Sequence, residues 1–194
     1  WTFGDGATST AQNPTHTYST KGVYTVSLQA TNGAGSSTRT RVDYISVYNA
    51  AVANFTATPT SGIAPYQVNF SNTSSGDFST SSWSFGDGGT STELNPGHTY
   101  STPGVYTVSL TVSGSGGTDT ETKTSLISVY QAVQADFSAS QTRGIAPLTV
   151  SFNNLSTGDF STIHWNFGEG STSTDPDPSH TYLLPGTYTV VLTV

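Results

Sequence analysis

One motif occurs three times in this chain, and its spacing limits what the chain can fold into. It begins at Trp1, Trp83 and Trp165 and reads W-x-F-G-D/E-G, then H-T-Y, then G-x-Y-T-V-x-L, so successive motifs lie 82 residues apart. Solenoid and propeller units are about 20–50 residues long, whereas a repeat of this length can close a small core of its own. The spacing therefore predicts a string of separate domains. We place these domains at residues 1–49, 50–131 and 132–194.

The three predicted domains differ in completeness. The first lacks the segment that precedes the motif in the other two. The third ends at Val194, without the segment that follows Val112 in the middle repeat. We therefore expect only the middle repeat to be complete within this window of sequence.

Apolar and polar residues alternate in three places within a repeat, which is typical of half-buried β-strands. One alternating run follows each HTY, one precedes each Trp, and one closes the domain. In the middle repeat these runs carry the apolar residues Tyr106, Val108, Leu110 and Val112, then Tyr66, Val68 and Phe70, then Ile127 and Val129. No segment has helical periodicity. The sequence therefore predicts an all-β fold in which each repeat is a two-sheet sandwich of about seven strands.

Composition excludes several classes of function. Lys and Arg number 5 against 12 Asp and Glu, a net charge of −7, so the surface would repel the phosphates of nucleic acid. Cys is absent, which excludes disulfides and thiolate metal sites. No run of about 20 apolar residues occurs, so this window contains no transmembrane segment.

The combined motif WxFGDG, HTY and GxYTVxL resembles that of the polycystic kidney disease (PKD) domain, and all three repeats carry it. The resemblance implies an immunoglobulin-like β-sandwich and an extracellular setting. PKD domains occur in tandem on cell-surface and surface-layer proteins of archaea and bacteria. They also occur beside the catalytic domains of secreted proteases, collagenases and chitinases. The family is mostly non-catalytic.

The residues of the motif are expected to be structural. A tryptophan at the same place in each repeat is what a core between two sheets needs. The acid of the turn is expected to cap nearby amides, and the histidine to brace the loop that follows the turn. The motif residues are Trp1, Asp5, His16 and Tyr18 in the first repeat, Trp83, Asp87, His98 and Tyr100 in the second, and Trp165, Glu169, His180 and Tyr182 in the third.

No catalytic signature is present in the sequence. It has no G-x-S-x-G elbow, no HExxH pair, no P-loop and no cysteine nucleophile. Asp87 and His98 could be combined with a serine as a triad, but serines are so frequent here that the coincidence has little weight. We therefore predict a protein that is not an enzyme and that needs no cofactor.

Calcium is the sharpest prediction of a binding site. Some PKD domains resemble calcium modules whose carboxylates lie near the first strand and in the loop before the Trp, and oxygen ligands suit this ion. The matching positions here are Asp77 and Asp159 in the loops and Asn54 and Asp136 at the first strand. With one or two charges per site, any affinity should be weak. The alternative is an Asx-type turn that Asp77 or Asp159 closes on its own backbone.

Four asparagines satisfy the N-x-[ST] pattern for N-glycosylation, and they are Asn54, Asn69, Asn72 and Asn154. Asn72 and Asn154 occupy equivalent positions at the edge between a strand and a loop, which favours them over the other two. Dense Ser and Thr could also carry O-linked sugars.

The segments between repeats are short, and they are neither Gly/Ser tethers nor Pro-rich spacers. The array is thus expected to be elongated and semi-rigid, adding on the order of 30–40 Å per repeat. The leading hypothesis is an extracellular structural or adhesive array, such as a stalk, surface layer or filament. Its expected partners are cell-surface proteins, polysaccharides or other copies of itself, assembled laterally or head to tail through exposed sheet edges.

The alternative is an accessory array of a secreted hydrolase that binds a polymer such as chitin or collagen. Exposed aromatic side chains would favour this role, and the candidates are Tyr48, Phe78, Tyr130 and Phe160. They could instead cover the joints between domains or the edge of the core.

Overall fold

The computed structural model describes all 194 residues and contains sixteen strands and no helix. The first repeat forms β1 (Gly22–Asn32) and β2 (Gly35–Val47). The middle repeat forms β3 (Phe55–Thr58), β4 (Ser61–Ile63), β5 (Tyr66–Asn72), β6 (Thr80–Ser84), β7 (Thr90–Ser91), β8 (Gly97–Tyr100), β9 (Gly104–Gly114) and β10 (Gly117–Tyr130). The third repeat forms β11 (Phe137–Ala139), β12 (Leu148–Asn154), β13 (His164–Asn166), β14 (Thr172–Ser173), β15 (Ser179–Tyr182) and β16 (Val191–Thr193). The chain has no helix long and apolar enough to cross a membrane.

The middle repeat has the two sheets of a sandwich, ordered β3-β5-β8 and β4-β10-β9-β6-β7. The third repeat has the sheets β11-β12-β15 and β14-β13-β16, and the first repeat has the hairpin β1-β2. Pairing is antiparallel except where β4 runs parallel to the end of β10, at Ser128–Tyr130. The predicted fold class is confirmed: the chain is all-β and consists of tandem immunoglobulin-like β-sandwiches. The middle repeat has eight strands against the seven predicted, because the two-residue β7 counts as one.

The alternation seen in the sequence sets which side of each strand is buried. Val108, Leu110 and Val112 of β9 have no exposed surface, while the hydroxyl residues between them lie on the outer side of the sheet. Val68 and Phe70 of β5 are buried in the same way. A one-residue shift in register would turn these apolar side chains to the outer face. Their burial therefore also specifies how each strand pairs with its neighbours.

Contacts within the chain divide it into two compact units, and the division passes through the middle repeat. The first unit consists of Trp1–Thr58, Asn69–Gly97 and Thr107–Thr124. The second unit consists of Pro59–Val68, His98–Tyr106 and Ser125–Val194.

Each unit has an aromatic core around one tryptophan. In the first unit the indole of Trp83 lies between the rings of Phe55 and Phe70, at centroid distances of 5.2 and 5.6 Å. In the second unit Trp165 lies between Phe137 and Phe152, at 5.2 and 5.5 Å. Both indoles are at least 99% buried, as a core tryptophan should be.

Two expectations hold only in part. Trp1 is half-buried, because the phenylalanines that cover Trp83 come from β3 and β5, and residues 1–49 have no counterpart of these strands. In the third repeat only Val191–Thr193 is a strand, although the alternation begins at Tyr188. β16 pairs with β13 alone, whereas its equivalent β9 lies between two strands and is longer.

Candidate functional site

The acid of the turn and the histidine of the motif form a brace in the first and third repeats. His16 Nε2 lies 2.7 Å from Asp5 Oδ2, and His180 Nε2 lies 2.7 Å from Glu169 Oε1. The ring of His16 stacks on Phe3 with centroids 4.1 Å apart, and the ring of His180 stacks on Phe167 at 4.3 Å. The brace therefore fixes the turn after the tryptophan to the HTY segment, which forms strand β15 in the third repeat.

The change from Asp to Glu in the third repeat alters only half of this arrangement. Asp5 Oδ1 accepts a hydrogen bond from the Ala7 amide at 3.0 Å, and this bond, followed by that of His16, holds the pKa of Asp5 below its usual value. Glu169 keeps the histidine but accepts its second bond from the Ser171 hydroxyl, at 3.4 Å. The longer side chain thus keeps the brace and gives up the backbone cap.

The polar atoms of the motif are used for structure. Neither His16 nor His180 is hydrogen-bonded to a serine, so neither repeat forms the nucleophile–base pair of a triad. The Tyr182 hydroxyl donates to the Phe167 carbonyl oxygen at 3.2 Å, and burial, with a smaller contribution from Glu169, raises the pKa of Tyr182. The arrangement can brace two segments but has no nucleophile placed beside a base.

The two loop aspartates of the calcium prediction lie at the joints between repeats. Asp77 Oδ2 accepts a hydrogen bond from the amide of Asn49 at 2.7 Å, and Asp159 Oδ2 accepts one from Gln131 at 2.6 Å. The backbone bonds run the other way, because the amide of each aspartate donates to the carbonyl of the same partner residue. Each partner residue lies 28 positions upstream, so the expected local Asx-type turn does not form, and the carboxylate instead holds the incoming chain.

The incoming chain is built into the repeat that follows it. Val52 exchanges two backbone hydrogen bonds with Ser75, both at 2.9 Å, and Gln134 does the same with Thr157. At the first joint Ala51 also donates to the Gly116 carbonyl, and Ala53 donates to Asp119 Oδ2. The segment between two repeats is therefore a pinned edge of the second repeat and not a free linker.

Only the first joint has an ion pair across it. Lys21, of the first repeat, donates to Asp77 Oδ1, and this bond, together with the Asn49 amide, holds the pKa of Asp77 below its usual value. The residue that corresponds to Lys21 in the middle repeat is Pro103, which has no charge and no donor. The two joints share the aspartate cap and differ in the lysine.

Glycine is required beside each aspartate. Gly76 has a φ of +88°, and a Cβ there would overlap the carbonyl oxygen of Ala50. Gly158 has a φ of +100°, and a Cβ there would overlap the carbonyl oxygen of Ala132. The sequence Gly-Asp at these loops thus supplies both the close approach of the chain and the carboxylate that fixes it.

The other two residues of the calcium prediction cap the first strand. Asn54 Oδ1 accepts from the Phe55 amide and Asp136 Oδ1 from the Phe137 amide, both at 2.8 Å. The structure contains no group of three or more His, Cys, Asp or Glu side chains placed to hold a metal ion. Both carboxylate oxygens of Asp77 already have protein donors. Calcium binding stays a prediction.

The candidate glycosylation sites differ in access. The Nδ2 atom of Asn72 is buried and has no hydrogen-bond partner, while its Oδ1 accepts from the Ser74 amide. Asn154 makes the same turn with Ser156. Asn69 is exposed in the middle of β5, and Asn54 is exposed at the start of β3. In the folded middle repeat, the nitrogen that would carry a sugar is thus more accessible at Asn69 than at Asn72.

The three repeats match one family of known domains. The model of the PKD domain family matches residues 1–47, 49–129 and 131–194. The chain is similar to collagenase ColA of Bacillus cereus, with 34% identity over 110 residues, or 55% of this chain and 11% of that protein. The PKD1 domain of metalloprotease PrtV from Vibrio cholerae is 38% identical, covering 41% of this chain and 96% of that domain, with a TM-score of 0.35. The PKD1 domain of Vibrio anguillarum Epp is 36% identical, covering 43% and 99%, with a TM-score of 0.36.

Gly76→Ala should destabilise the first joint. The new methyl group would overlap the Ala50 carbonyl, in addition to the strain of about 1–2 kcal/mol that a positive φ causes in a non-glycine residue. Gly88→Ala is the matched control, because Gly88 has a φ of +94° and open space around it. Urea unfolding should show a larger loss of unfolding free energy for Gly76→Ala, with faster hydrogen exchange at Ala51 and Val52. Equal losses in the two variants would contradict the close approach.

The carboxyl of Asp77 should titrate below an ordinary aspartate, because Lys21 and the Asn49 amide stabilise its charged form. A lowered pKa in the folded state means that its contribution to the joint is present above the usual aspartate pKa and is lost as the pH falls through the lowered value. NMR titration of the Asp77 side-chain carbon should show this, and Lys21→Gln should move the midpoint upward. A midpoint that the substitution leaves unchanged would mean that the lysine does not bind Asp77 in solution.

Proposed function

The chain belongs to the PKD domain family, and from that premise we propose that it is a non-catalytic extracellular array that holds attached groups at a set spacing in cell-surface architecture or attachment. The observation that supports this proposal most directly is the structure of the joints. At each one, the segment that leads into the next repeat is hydrogen-bonded into that repeat on its backbone and through an aspartate side chain.

A spacer needs joints that resist bending, and these joints have few free torsions. Between Tyr48 and Phe55 the amides of Asn49, Ala51, Val52, Ala53 and Asn54 all donate to acceptors in the middle repeat. Each backbone bond fixes torsions that a flexible tether would leave free. The chain therefore passes from one repeat to the next with little slack.

The surface suits an array that works outside a cell. Charged residues are 9% of the chain and the net charge is −7, so solubility comes from hydroxyl groups and from a modest acidic excess. Repetition also multiplies weak contacts, because tethered domains bind their next partner at a high effective concentration. An adhesive role thus needs only modest affinity per repeat.

The second candidate function is the accessory array of a secreted hydrolase. It is favoured by the identity to collagenase ColA, a relative of which this chain spans 11%. Tyr48 and Tyr130 occupy equivalent positions at the ends of two repeats, and each has 49% of its surface exposed. Phe78 and Phe160 are half-buried and are less suited to contact a polymer. Two exposed tyrosines at one period could contact a long polymer at two points.

The spacing role predicts that the first joint is stiff. Insertion of Gly-Ser-Gly-Ser between Tyr48 and Asn49 should release the joint and broaden the distance distribution in small-angle X-ray scattering. The same insertion between Asn32 and Gly33, in the turn of the β1–β2 hairpin, is the control and should leave the distribution close to that of the parent chain. Scattering that is unaffected by the insertion at the joint would show that the joint is already flexible and would contradict the role.

The accessory role predicts retention on an insoluble polymer. If Tyr48 and Tyr130 bind the polymer, replacing both with alanine should reduce retention on collagen or chitin. Tyr44→Ala is the control and should leave retention unchanged. Tyr44 is an exposed tyrosine of β2, with 53% of its surface accessible. Bound fraction in a pull-down measures this. Absence of retention for the parent chain would rule out the accessory role for these three repeats.

A further inference from the structure

The first and middle repeats each end in a long strand whose outer edge is largely unpaired. β2 is an edge strand of its sheet, and β10 pairs with β4 only over its last three residues. From Gly35 to Arg41, β2 is regular, and every residue pairs with one residue of β1. A regular strand with free N–H and C=O groups is a template for another strand.

The two edges carry opposite charges at one equivalent position. In β2, Arg39 and Arg41 alternate with threonines, and in β10 the alternation is with Asp119 and Glu121. Arg39 and Glu121 stand at the same position of their repeats, 82 residues apart. Residues 35–41 and 117–123 lie in the same compact unit and share their threonine spacing. Lys123, the equivalent of Arg41, keeps the positive charge and donates to the Phe55 carbonyl oxygen.

The charges that matter most are not used within the chain. Arg39 and Glu121 form no ion pair and no side-chain hydrogen bond in the structure. The guanidinium of Arg41 lies 4.7 Å from the centre of the Tyr44 ring. Asp119 uses one oxygen to accept from the Ala53 amide, which leaves Oδ1 available.

One antiparallel register brings the unlike charges of the two edges together. Placing Arg39 opposite Glu121 also places Arg41 opposite Asp119 and Thr40 opposite Thr120. Opposite residues share a face of the sheet and approach to about 4.5–5.5 Å between Cβ atoms. Opposite charges and paired threonines are both favourable cross-strand neighbours.

Self-pairing of either edge is less favourable. Two β2 edges in antiparallel contact would bring Arg39 and Arg41 together with the same residues of the other chain. When two β10 edges pair, the register that sets Lys123 opposite Asp119 also sets Glu121 of one chain opposite Glu121 of the other. Like charges directly opposite are destabilising, so the combination of β2 with β10 is the one that electrostatics selects.

We infer that the edge of β2 in one copy of this chain binds the edge of β10 in a second copy, as antiparallel strands with Arg39 opposite Glu121. The contact is heterologous, because each copy contributes a different surface. Residues 1–194 include one edge of each kind, so a contact between two copies of them either closes as a reciprocal dimer or continues along a series of chains. This inference goes beyond the spacing role and does not depend on it.

Charge reversal provides the first test. At low ionic strength, sedimentation equilibrium of the parent chain should show association that weakens with added salt. Arg39→Glu or Glu121→Arg alone should weaken it by about fivefold or more, and the double variant with both changes should associate like the parent chain. Arg143→Glu, in the third repeat, is the control and should have no such effect.

Disulfide trapping tests the register, since the chain has no cysteine of its own. A Thr40→Cys chain mixed with a Thr120→Cys chain should form a mixed disulfide under mild oxidation, because opposite positions lie within bridging distance. Neither chain alone should cross-link to a comparable extent. Circular dichroism of each variant checks that these exposed substitutions leave the fold intact.

Three results would overturn the inference. One is a parent chain that stays monomeric at every concentration tested. Another is association that the single reversals leave unchanged, or that the double reversal does not restore. The third is cross-linking of Thr40→Cys or Thr120→Cys to itself as efficiently as to the other.

Discussion

Each repeat depends on one tryptophan side chain that is held at two points. In the middle and third repeats its ring lies in the aromatic core. In all three repeats its Nε1–H donates to a backbone carbonyl ten residues further along the chain. The acceptors are Ala11 at 3.1 Å, Glu93 at 2.9 Å and Asp175 at 3.0 Å. A buried indole needs such an acceptor, and here the acceptor lies in the loop between the turn and HTY. One side chain thus sets the position of the loop relative to the core, and the acid–histidine brace forms on the frame that results.

Local pattern was sufficient to predict the strands and the class of fold. The residues of β5 and β9 alternate strictly, and a period of two specifies a strand and its buried face without reference to the rest of the chain. The length of a strand depends on its neighbours as well, which is why β16 is shorter than its alternation suggests. Most of the framework was therefore visible in the sequence, down to the tryptophan that anchors it.

The joints could not be predicted in the same way. The sequence shows that Asp77 follows a glycine in a loop, but its partner amide at Asn49 is 28 residues away and becomes adjacent only in the folded repeat. From the sequence, this carboxylate could be interpreted only through the family resemblance, as a calcium ligand, and calcium binding stays a prediction. The sequence shows that Lys21 stands where the other two repeats have proline. Nothing nearby in the sequence indicates that its side chain reaches the next repeat. Contacts between distant segments have no local signature, and both features are of this kind.

The replacement of Lys21 by Pro103 removes the ion pair from the second joint, so the two joints would resist tension unequally. Under tension along the chain, both joints bear the same load through their aspartate caps, but only the first shares that load with an ion pair. The second joint would yield first, and the first would extend afterwards. A string of nearly identical domains would thus have an order of extension, to which a single residue that differs between the two joints contributes.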